Sequence, residues 1–204
     1  MSPESAALVV HDLKNELGAL EGALQALALQ PDAERATQAH RQCQDLRARM
    51  VSFLTLYGRN GELQAHSEDE SPAEVLAALR SRCAARTPWL EVRAAPSAEL
   101  PPYAFFDRRL LTLALEAALH NAARFATSSI ALGARVEGGE LVFTVEDDGP
   151  GLDHGVDVAP HNTGLGTQLC RAVARAHGLS APDGGVSLTN RPQGGARFEI
   201  RLPT

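Results

Sequence analysis

The sequence has few cysteines, few aromatic residues and no excess of positive charge. Aromatic residues make up 4% of the 204 residues, and the formal net charge at pH 7 is −6. A nucleic-acid partner is not expected, because proteins that bind nucleic acids carry a basic surface. The three cysteines are far apart and match no metal-binding spacing, so we expect small apolar side chains in a reducing compartment: Cys43, Cys83 and Cys170.

Long apolar runs are also absent from the sequence. No run approaches the roughly 20 residues that a membrane-spanning helix needs, and the first residues lack the basic and apolar segments of a signal peptide. The sequence therefore predicts a cytoplasmic protein without membrane contact. Any signal that this protein receives would then arrive through a soluble partner.

The first 60 residues contain two apolar patterns in which spacings of three and four alternate. Pro31 and Asp32 separate the two patterns, which predict an antiparallel helical hairpin over a domain 1–60. Because two helices have little core, we expect a homodimer whose hairpins form a four-helix bundle. The alternative is that the hairpin packs only on the rest of its own chain. The two seams consist of Val10, Leu13, Leu17, Leu20, Leu24 and Leu27, and of Ala39, Cys43, Leu46, Met50, Phe53 and Tyr57.

A second domain, 61–204, shows mixed patterns of helix and strand. The predicted fold class is therefore α+β: a helical hairpin followed by an α/β sandwich, in which a mixed sheet carries helices on one face. Residues 153–163 have little periodicity and are expected to form a mobile loop. The predicted helices are 71–86, 107–126 and 164–177, and the predicted strands are 63–66, 90–94, 103–106, 129–136, 140–147, 185–190 and 196–202.

Two glycine-containing segments suggest a nucleotide site. An apolar strand ends at Asp147, and Gly149 and Gly151 then allow the backbone to pass close to a ligand. Gly164 and Gly166 begin a helix whose free N–H groups suit phosphate. The Asp147 carboxylate is placed to accept a hydrogen bond from the exocyclic amine of adenine. Taken alone, residues 147–151 would be only a turn rich in turn-forming residues.

The helix predicted over 107–126 carries further candidate ligands near its end. We place Asn121 on the interior side of this helix, where its side-chain oxygen suits Mg²⁺. Arg124 lies three residues on and would neutralise phosphate charge. The alternative is an ordinary amphipathic helix with no ligand.

His11 is the candidate acceptor of a phosphoryl group. It lies one residue past a seam position and is expected to face solvent, with Asn15 on the same face of the helix. A neutral imidazole nitrogen is nucleophilic near physiological pH, and Asp12 can accept a hydrogen bond from the other ring nitrogen. The alternative is a solvated surface histidine.

Taken in order, these segments resemble the bacterial two-component histidine kinases over nearly the whole chain. The hairpin resembles the dimerisation and histidine-phosphotransfer domain, and the remainder resembles the catalytic ATP-binding domain of the gyrase, chaperone and kinase superfamily. The matching segments are the His-acid box 11–15, the asparagine box 120–125, the glycine boxes 147–151 and 164–167, and the phrases 175–178 and 194–198.

The resemblance implies ATP and Mg²⁺ as ligands and a response-regulator receiver domain as partner. Because only ten residues precede His11, no sensor domain is expected, and a stimulus would arrive through a soluble sensor partner. It implies that Asp12 is the base beside His11 and that Asn15 orients water when a partner's phospho-aspartate is hydrolysed. Asn121 would hold Mg²⁺. The residues implied to bind the nucleotide are Asn121, Arg124, Phe125, Asp147, Gly149, Gly151, Gly164, Leu165, Gly166 and Thr167.

Two positions depart from the family pattern. Relatives commonly carry Asn or Glu four residues before Asn121, where this chain has Ala117, and Glu116 one place earlier. A shift of one residue rotates a side chain about 100° around a helix, so Glu116 is not expected to point into the pocket. Ala196 replaces a threonine that many relatives place near adenine.

The predicted function is therefore an ATP-dependent protein-histidine kinase that phosphorylates itself on His11 and passes the phosphoryl group to a receiver aspartate. One alternative is an ATP-independent histidine phosphotransferase with a vestigial nucleotide domain. A second alternative is a serine kinase of the anti-sigma type, or a regulatory binding module on the same fold.

Overall fold

The computed structural model describes residues 3–58, 63–95, 100–152, 164–181 and 184–204. The chain divides into two compact units, one made of two long helices and one built around a β-sheet. Within the described residues, none of the helices combines the length and the apolar character that crossing a membrane requires. The expected loop 153–163 lies outside the described residues.

The helical unit consists of α1 (Pro3–Leu29) and α2 (Ala33–Tyr57). Asp32 begins the second helix, because its side chain accepts a hydrogen bond of 2.8 Å from the backbone N–H of Arg35. Pro31 lies in the short connection, as the sequence predicts. The buried core between the helices is small and consists of Leu20, Ala39 and Leu46, with Leu13 and Ala23 packed against it.

Much of the predicted seam remains open to solvent in the single chain. Val10, Leu17, Leu24 and Met50 are each between 46% and 49% exposed. Single exposed apolar side chains are common, but these four follow the same heptad-like spacing as the buried ones. The hairpin therefore presents an apolar surface that its own two helices do not cover.

The second unit contains a five-stranded sheet of order β2-β4-β5-β7-β6 and a separate two-stranded sheet of β1 and β3. The β2–β4 pair is parallel and the other pairs are antiparallel. The fold class α+β, a helical pair followed by a mixed sheet with helices, is confirmed. The elements are β1 (Glu68–Glu70), α3 (Pro72–Arg86), β2 (Glu91–Ala94), β3 (Ala104–Phe106), α4 (Arg108–Phe125), β4 (Ser129–Glu137), β5 (Glu140–Asp147), α5 (Leu165–Ala176), β6 (Val186–Asn190) and β7 (Ala196–Pro203).

The strand predicted over 63–66 is wrong. Residues 63–67 have no regular structure, and the strand forms at Glu68–Glu70 instead. The backbone N–H of His66 donates to Asp107 at 3.0 Å, so this group does not serve a sheet. The acidic residues Glu68–Glu70 form the strand because they pair with β3. Tertiary context here overrides strand propensity.

The core of the second unit lies against one face of the sheet. Leu141, Phe143 and Val145 of β5 alternate with residues of the other face and are almost completely buried. The ring of Phe143 meets that of Phe106 edge to face, with 6.1 Å between centroids. Helix α4 packs on this strand, which ends at Asp147 on the same face.

The other face of the sheet carries interleaved arginines and carboxylates. Glu199 lies 3.0 Å from Arg135 and 3.4 Å from Arg201, so one carboxylate joins two strands. Val142 stands in register between these two arginines and has no exposed surface. The long aliphatic stems of arginine can cover such a residue while the charged ends remain in water.

Candidate nucleotide site and phosphoryl acceptor

Asp147 is buried at the carboxyl end of β5. Its Oδ1 accepts hydrogen bonds from the backbone N–H groups of Gly149, at 2.9 Å, and Ala196, at 3.2 Å. Among the described residues no donor reaches Oδ2. One carboxylate oxygen is therefore committed to the protein, and the second remains able to accept a hydrogen bond from a ligand.

Ala196 contributes to this arrangement through its backbone. The N–H that bonds Asp147 is available whichever side chain occupies position 196, so alanine in place of threonine leaves this contact intact. The guanidinium of Arg191 adds a hydrogen bond of 2.7 Å to the carbonyl oxygen of Asp147. The turn between β6 and β7, with the residues on either side of it, therefore holds the end of β5 through two hydrogen bonds to Asp147.

Close backbone packing explains why glycines surround Asp147. A Cβ at Gly149 would lie 2.3 Å from the carbonyl oxygen of Phe125, and a Cβ at Gly195 would lie 1.9 Å from that of Asp147. Gly151 and Gly195 also adopt positive φ angles of 84° and 83°. The glycines therefore allow the loop to pack closely against the neighbouring backbone, and this packing fixes the position of the loop.

Asp148, the residue after Asp147, has a role that the sequence did not reveal. Its carboxylate accepts hydrogen bonds from the backbone N–H of Thr127, at 2.8 Å, and from the hydroxyls of Ser128 and Ser129, at 2.5 and 3.0 Å. Burial alone would raise the pKa of Asp148, but these bonds outweigh it and hold the pKa well below its usual range.

The sequence predicted Asn121 on the interior side of α4, and this prediction is wrong. Asn121 is exposed, whereas Ala118, Leu119 and Ala122 form the buried face of that turn. One residue corresponds to a rotation of about 100°, which moves Asn121 to the flank of the helix. There it lies beside α5, because a Cβ at Gly166 would be 3.5 Å from Asn121 Nδ2.

The asparagine box and the second glycine box therefore meet at Gly166. A Cβ at this glycine would also lie 3.8 Å from the Cβ of Ala117. The position that faces Gly166 is thus residue 117, and Glu116 instead lies 3.3 Å from Arg82 of α3. Arg124 lies near the end of α4, with its guanidinium carbon 5.6 Å from the ring centroid of Phe125.

Helix α5 begins with the second glycine box. Gly164 precedes it with a φ of 63°, and Leu165, Gly166 and Thr167 form its first turn. The first N–H groups of a helix have no partner within it and attract anions. These groups, Asn121 and Oδ2 of Asp147 supply the types of contact that phosphate, a hard cation and a base require.

His177 ties α5 to the start of α4. Its Nε2 accepts a hydrogen bond of 2.9 Å from the backbone N–H of Asp107, and its Nδ1 donates to the carbonyl oxygen of Val173 at 2.7 Å. This pair of bonds requires the neutral imidazole. His177 lies in the segment 175–178 that resembles the family, and its sequence context alone does not indicate this role.

His11 is exposed, with 68% of its side chain accessible, as expected for a phosphoryl acceptor. Asn15 Nδ2 lies 3.2 Å from its Nδ1 and can donate to it, and the nearer carboxylate oxygen of Asp12 lies at 3.8 Å. The structure thus brings all three predicted residues of the His-acid box together. In the tautomer that carries its proton on Nδ1, that N–H would point to Asp12 in place of the Asn15 bond, and Nε2 would be the nucleophilic nitrogen.

Within the described residues there is no cluster of His, Cys, Asp or Glu side chains that would hold a metal ion by itself. A Mg²⁺ ion at this site therefore depends on the Asn121 amide oxygen together with phosphate oxygens. This donor set fits Mg²⁺, which commonly binds through one or two protein ligands and substrate phosphates.

The carboxy-terminal half of the chain matches a known domain family. Residues 106–204 match the model of the histidine kinase-, DNA gyrase B-, and HSP90-like ATPases. The chain is 35% identical over 113 residues to the sensor protein KdpD of Escherichia coli, covering 48% of this chain and 12% of KdpD. Residues 106–204 therefore form a domain of this ATPase family.

Solved structures of histidine kinases share the fold. Acinetobacter baumannii histidine kinase AdeS has a TM-score of 0.67 and 22% identity, and the match covers 95% of this chain and 97% of that one. Histidine kinase ThkA, solved in complex with response regulator protein TrrA, has a TM-score of 0.68 and 14% identity over 98% of this chain and 61% of that one. The chain spans only a small part of KdpD, the curated relative given above.

Proposed function

We propose that this chain is an ATP-dependent protein-histidine kinase that phosphorylates itself on His11 and passes the phosphoryl group to a receiver-domain aspartate. Residues 1–60 serve as the dimerisation and phosphotransfer domain, and residues 61–204 as the catalytic ATP-binding domain. The observation that carries the proposal is the Asp147 carboxylate, whose Oδ1 is held by two backbone N–H groups while Oδ2 remains available.

The nucleotide-binding assignment rests on three neighbouring contributions. Oδ2 of Asp147 accepts a hydrogen bond from the adenine amine, and the first turn of α5, which begins after Gly164, receives phosphate. Asn121 supplies an oxygen ligand to Mg²⁺, which neutralises phosphate charge when bound. Arg124, exposed near the end of α4, contributes positive charge to the same purpose.

The acceptor assignment rests on His11 and its two neighbours. An imidazole nitrogen forms a bond to the terminal phosphorus while the bond between that phosphorus and the bridging oxygen breaks, so that ADP leaves. Asp12 accepts a hydrogen bond from the other ring nitrogen and takes up its proton. Asn15 orients water when a receiver's phospho-aspartate is hydrolysed, and its amide already lies 3.2 Å from the ring.

The proposal includes a homodimer through the helical hairpin and a response-regulator receiver domain as partner. Val10, Leu17 and Leu24 present apolar surface at heptad-like spacing, and a second copy of the same hairpin would cover it. The partner follows from the chemistry of the phosphoryl group on histidine, which a receiver aspartate accepts, and ThkA provides an example of a kinase bound to a response regulator.

Incubation with radiolabelled ATP and Mg²⁺ tests the function directly. We expect a label that acid removes and base preserves, as phosphohistidine chemistry requires. The His11→Ala variant should lose the label and still bind nucleotide, whereas Asp147→Asn should lose binding. His40→Ala is a matched control, because His40 is another exposed histidine of the helical unit, with Gln44 Nε2 2.8 Å from its ring nitrogen.

Three outcomes would contradict different parts of the proposal. An acid-labile label that persists in His11→Ala would show that the acceptor is another residue. A folded wild-type chain that takes up no label and has no measurable affinity for ATP would instead favour the ATP-independent phosphotransferase. A label stable to acid on a partner protein would indicate a serine kinase.

A further inference from the structure

Asp148 joins two parts of the nucleotide site that are far apart in the sequence. Its carboxylate lies one residue after Asp147, at the end of β5, and its hydrogen-bond donors are Thr127, Ser128 and Ser129. These donors form the connection between the end of α4 and the start of β4. The same connection directly follows Arg124 and Phe125 of the asparagine box.

The contact is dense for a single side chain. Oδ1 accepts from the backbone N–H groups of Thr127, at 2.8 Å, and Ser128, at 3.0 Å, while Oδ2 accepts from the hydroxyls of Ser128 and Ser129. Hydrogen bonds to an ionised carboxylate are shorter and stronger than neutral ones. The packing of Gly149 against the carbonyl oxygen of Phe125 adds a steric contact next to these bonds.

We propose that Asp148 is a positioning residue of the nucleotide site, which holds the end of α4, and with it Asn121 and Arg124, at a fixed place beside Asp147. This inference rests on the proposed function, since it concerns the same nucleotide. Asp148 itself makes no contact with the nucleotide in this proposal. It acts by setting the separation between the carboxylate that reads the base and the side chains that meet the phosphates.

Substitution by alanine should therefore weaken nucleotide binding in a protein that remains folded. Hydrogen bonds weaken steeply when their atoms are displaced, so we expect Asp148→Ala to raise the Kd for ATP with Mg²⁺ by about tenfold or more, the effect of losing about one hydrogen bond. The measurement is isothermal titration calorimetry on the full chain, at a temperature where circular dichroism shows both proteins folded. The KM for ATP should rise more than kcat falls.

The conservative variant distinguishes positioning from charge. In Asp148→Asn the amide oxygen can still accept from the N–H groups of Thr127 and Ser128, and the amide nitrogen can donate to the two serine hydroxyls, which also accept hydrogen bonds. We therefore expect Asp148→Asn to bind ATP within about threefold of wild type. Asp69→Ala is the matched control, because Asp69 is an exposed aspartate of β1 in the same unit.

The outcomes separate this inference from the proposed function. If wild type binds ATP and folded Asp148→Ala binds it equally well, the residue is merely structural and the inference is wrong, whatever the change in unfolding temperature. If Asp148→Ala does not fold, the double variant Ser128→Ala/Ser129→Ala removes only the two hydroxyl donors and should still raise the Kd by about threefold. Unchanged affinity in that variant would also refute the inference. Failure of wild type to bind ATP would remove the proposed function, and this inference with it.

Discussion

Glu116 Oε1 lies 3.3 Å from the guanidinium of Arg82, and this contact turns the carboxylate toward α3. The neighbouring Ala117 faces Gly166 instead. The helix thus places its acidic side chain away from the second glycine box, and a methyl group occupies the position where relatives commonly carry Asn or Glu. Both consequences can be tested by substitution.

Glu116→Gln should leave the affinity for ATP unchanged within about twofold. The ion pair with Arg82 lies at the surface, and such pairs contribute about 0–1 kcal/mol to stability. Ala117→Asn should instead increase the affinity for ATP with Mg²⁺, because it adds an amide oxygen beside Asn121. Calorimetric titration with and without Mg²⁺ measures both effects. A tenfold loss of binding in Glu116→Gln would show that this carboxylate serves the nucleotide after all.

Gly195→Ala should be far more damaging than Gly194→Ala. Both glycines have positive φ angles, 83° and 92°, so the conformational cost is shared. A Cβ at position 195 would lie 1.9 Å from the carbonyl oxygen of Asp147, whereas a Cβ at 194 meets nothing within 4 Å. We expect Gly194→Ala to cost about 1 kcal/mol of unfolding free energy and to bind ATP normally.

Gly195→Ala should destabilise by several kcal/mol, about 3 or more, because backbone atoms must move apart. It should also lose affinity for ATP, since the displaced group belongs to Asp147. Urea unfolding and nucleotide titration are the measurements. Equal behaviour of the two variants would show that the turn between β6 and β7 yields without disturbing the carboxylate.

Asp107 should make the second unit sensitive to acid. Burial raises its pKa, but hydrogen bonds from the backbone N–H groups of His66 and Leu110, with the charge of Arg109, bring the pKa below its ordinary value. A depressed pKa means that the ionised form stabilises the fold. That stabilisation is complete above the ordinary carboxyl pKa of about 3.9 and is lost as the pH falls toward the lower folded value.

The unfolding free energy of wild type should therefore fall steeply below about pH 4, and that of Asp107→Asn should fall less steeply. At pH 7 the variant should be less stable by about 1–2 kcal/mol, because it loses a charged helix cap. Urea titrations at pH 7 and at pH 3 measure the difference, with Asp69→Asn as the exposed control. Parallel curves for wild type and Asp107→Asn would rule out this contribution.

Leu24→Glu should separate the proposed dimer into single chains. Leu24 is about half exposed in the chain and occupies the apolar seam, where a buried carboxylate without a partner costs several kcal/mol, about 2 or more. Gln25→Glu is the matched control, because Gln25 is the next residue and is also exposed. Sedimentation velocity gives the mass. Wild type that sediments as a single chain would contradict the dimer, and a dimeric Leu24→Glu would place the interface elsewhere.

Local signals allowed much of the fold to be predicted. Strand Glu140–Asp147 was predicted to the residue, and the predicted helices 71–86 and 107–126 begin at the residues that cap α3 and α4, Ser71 and Asp107. Each of these features depends on residues a few positions apart. The acidic strand Glu68–Glu70 was missed because it has no apolar alternation and exists only through its pairing with β3.

The relationships within the candidate site were harder to predict for the same reason. The flank position of Asn121 depends on how α4 packs, and the hydrogen bonds of Asp148 reach residues about 20 positions away. The bond between Asp107 and His177 spans 70 residues. Motif order indicated which residues belong to one site, but only the packed fold shows which of them touch.

The arginine and carboxylate rows on the outer face of the sheet have a consequence for how this unit meets its surroundings. Val142, enclosed between Arg135 and Arg201, shows no surface to water although no helix is needed to shield it. The arginine side chains of the neighbouring strands thus cover this apolar residue and keep their charged ends in water. A sheet with this covering exposes little apolar surface, so other macromolecules have little to associate with nonspecifically on this face.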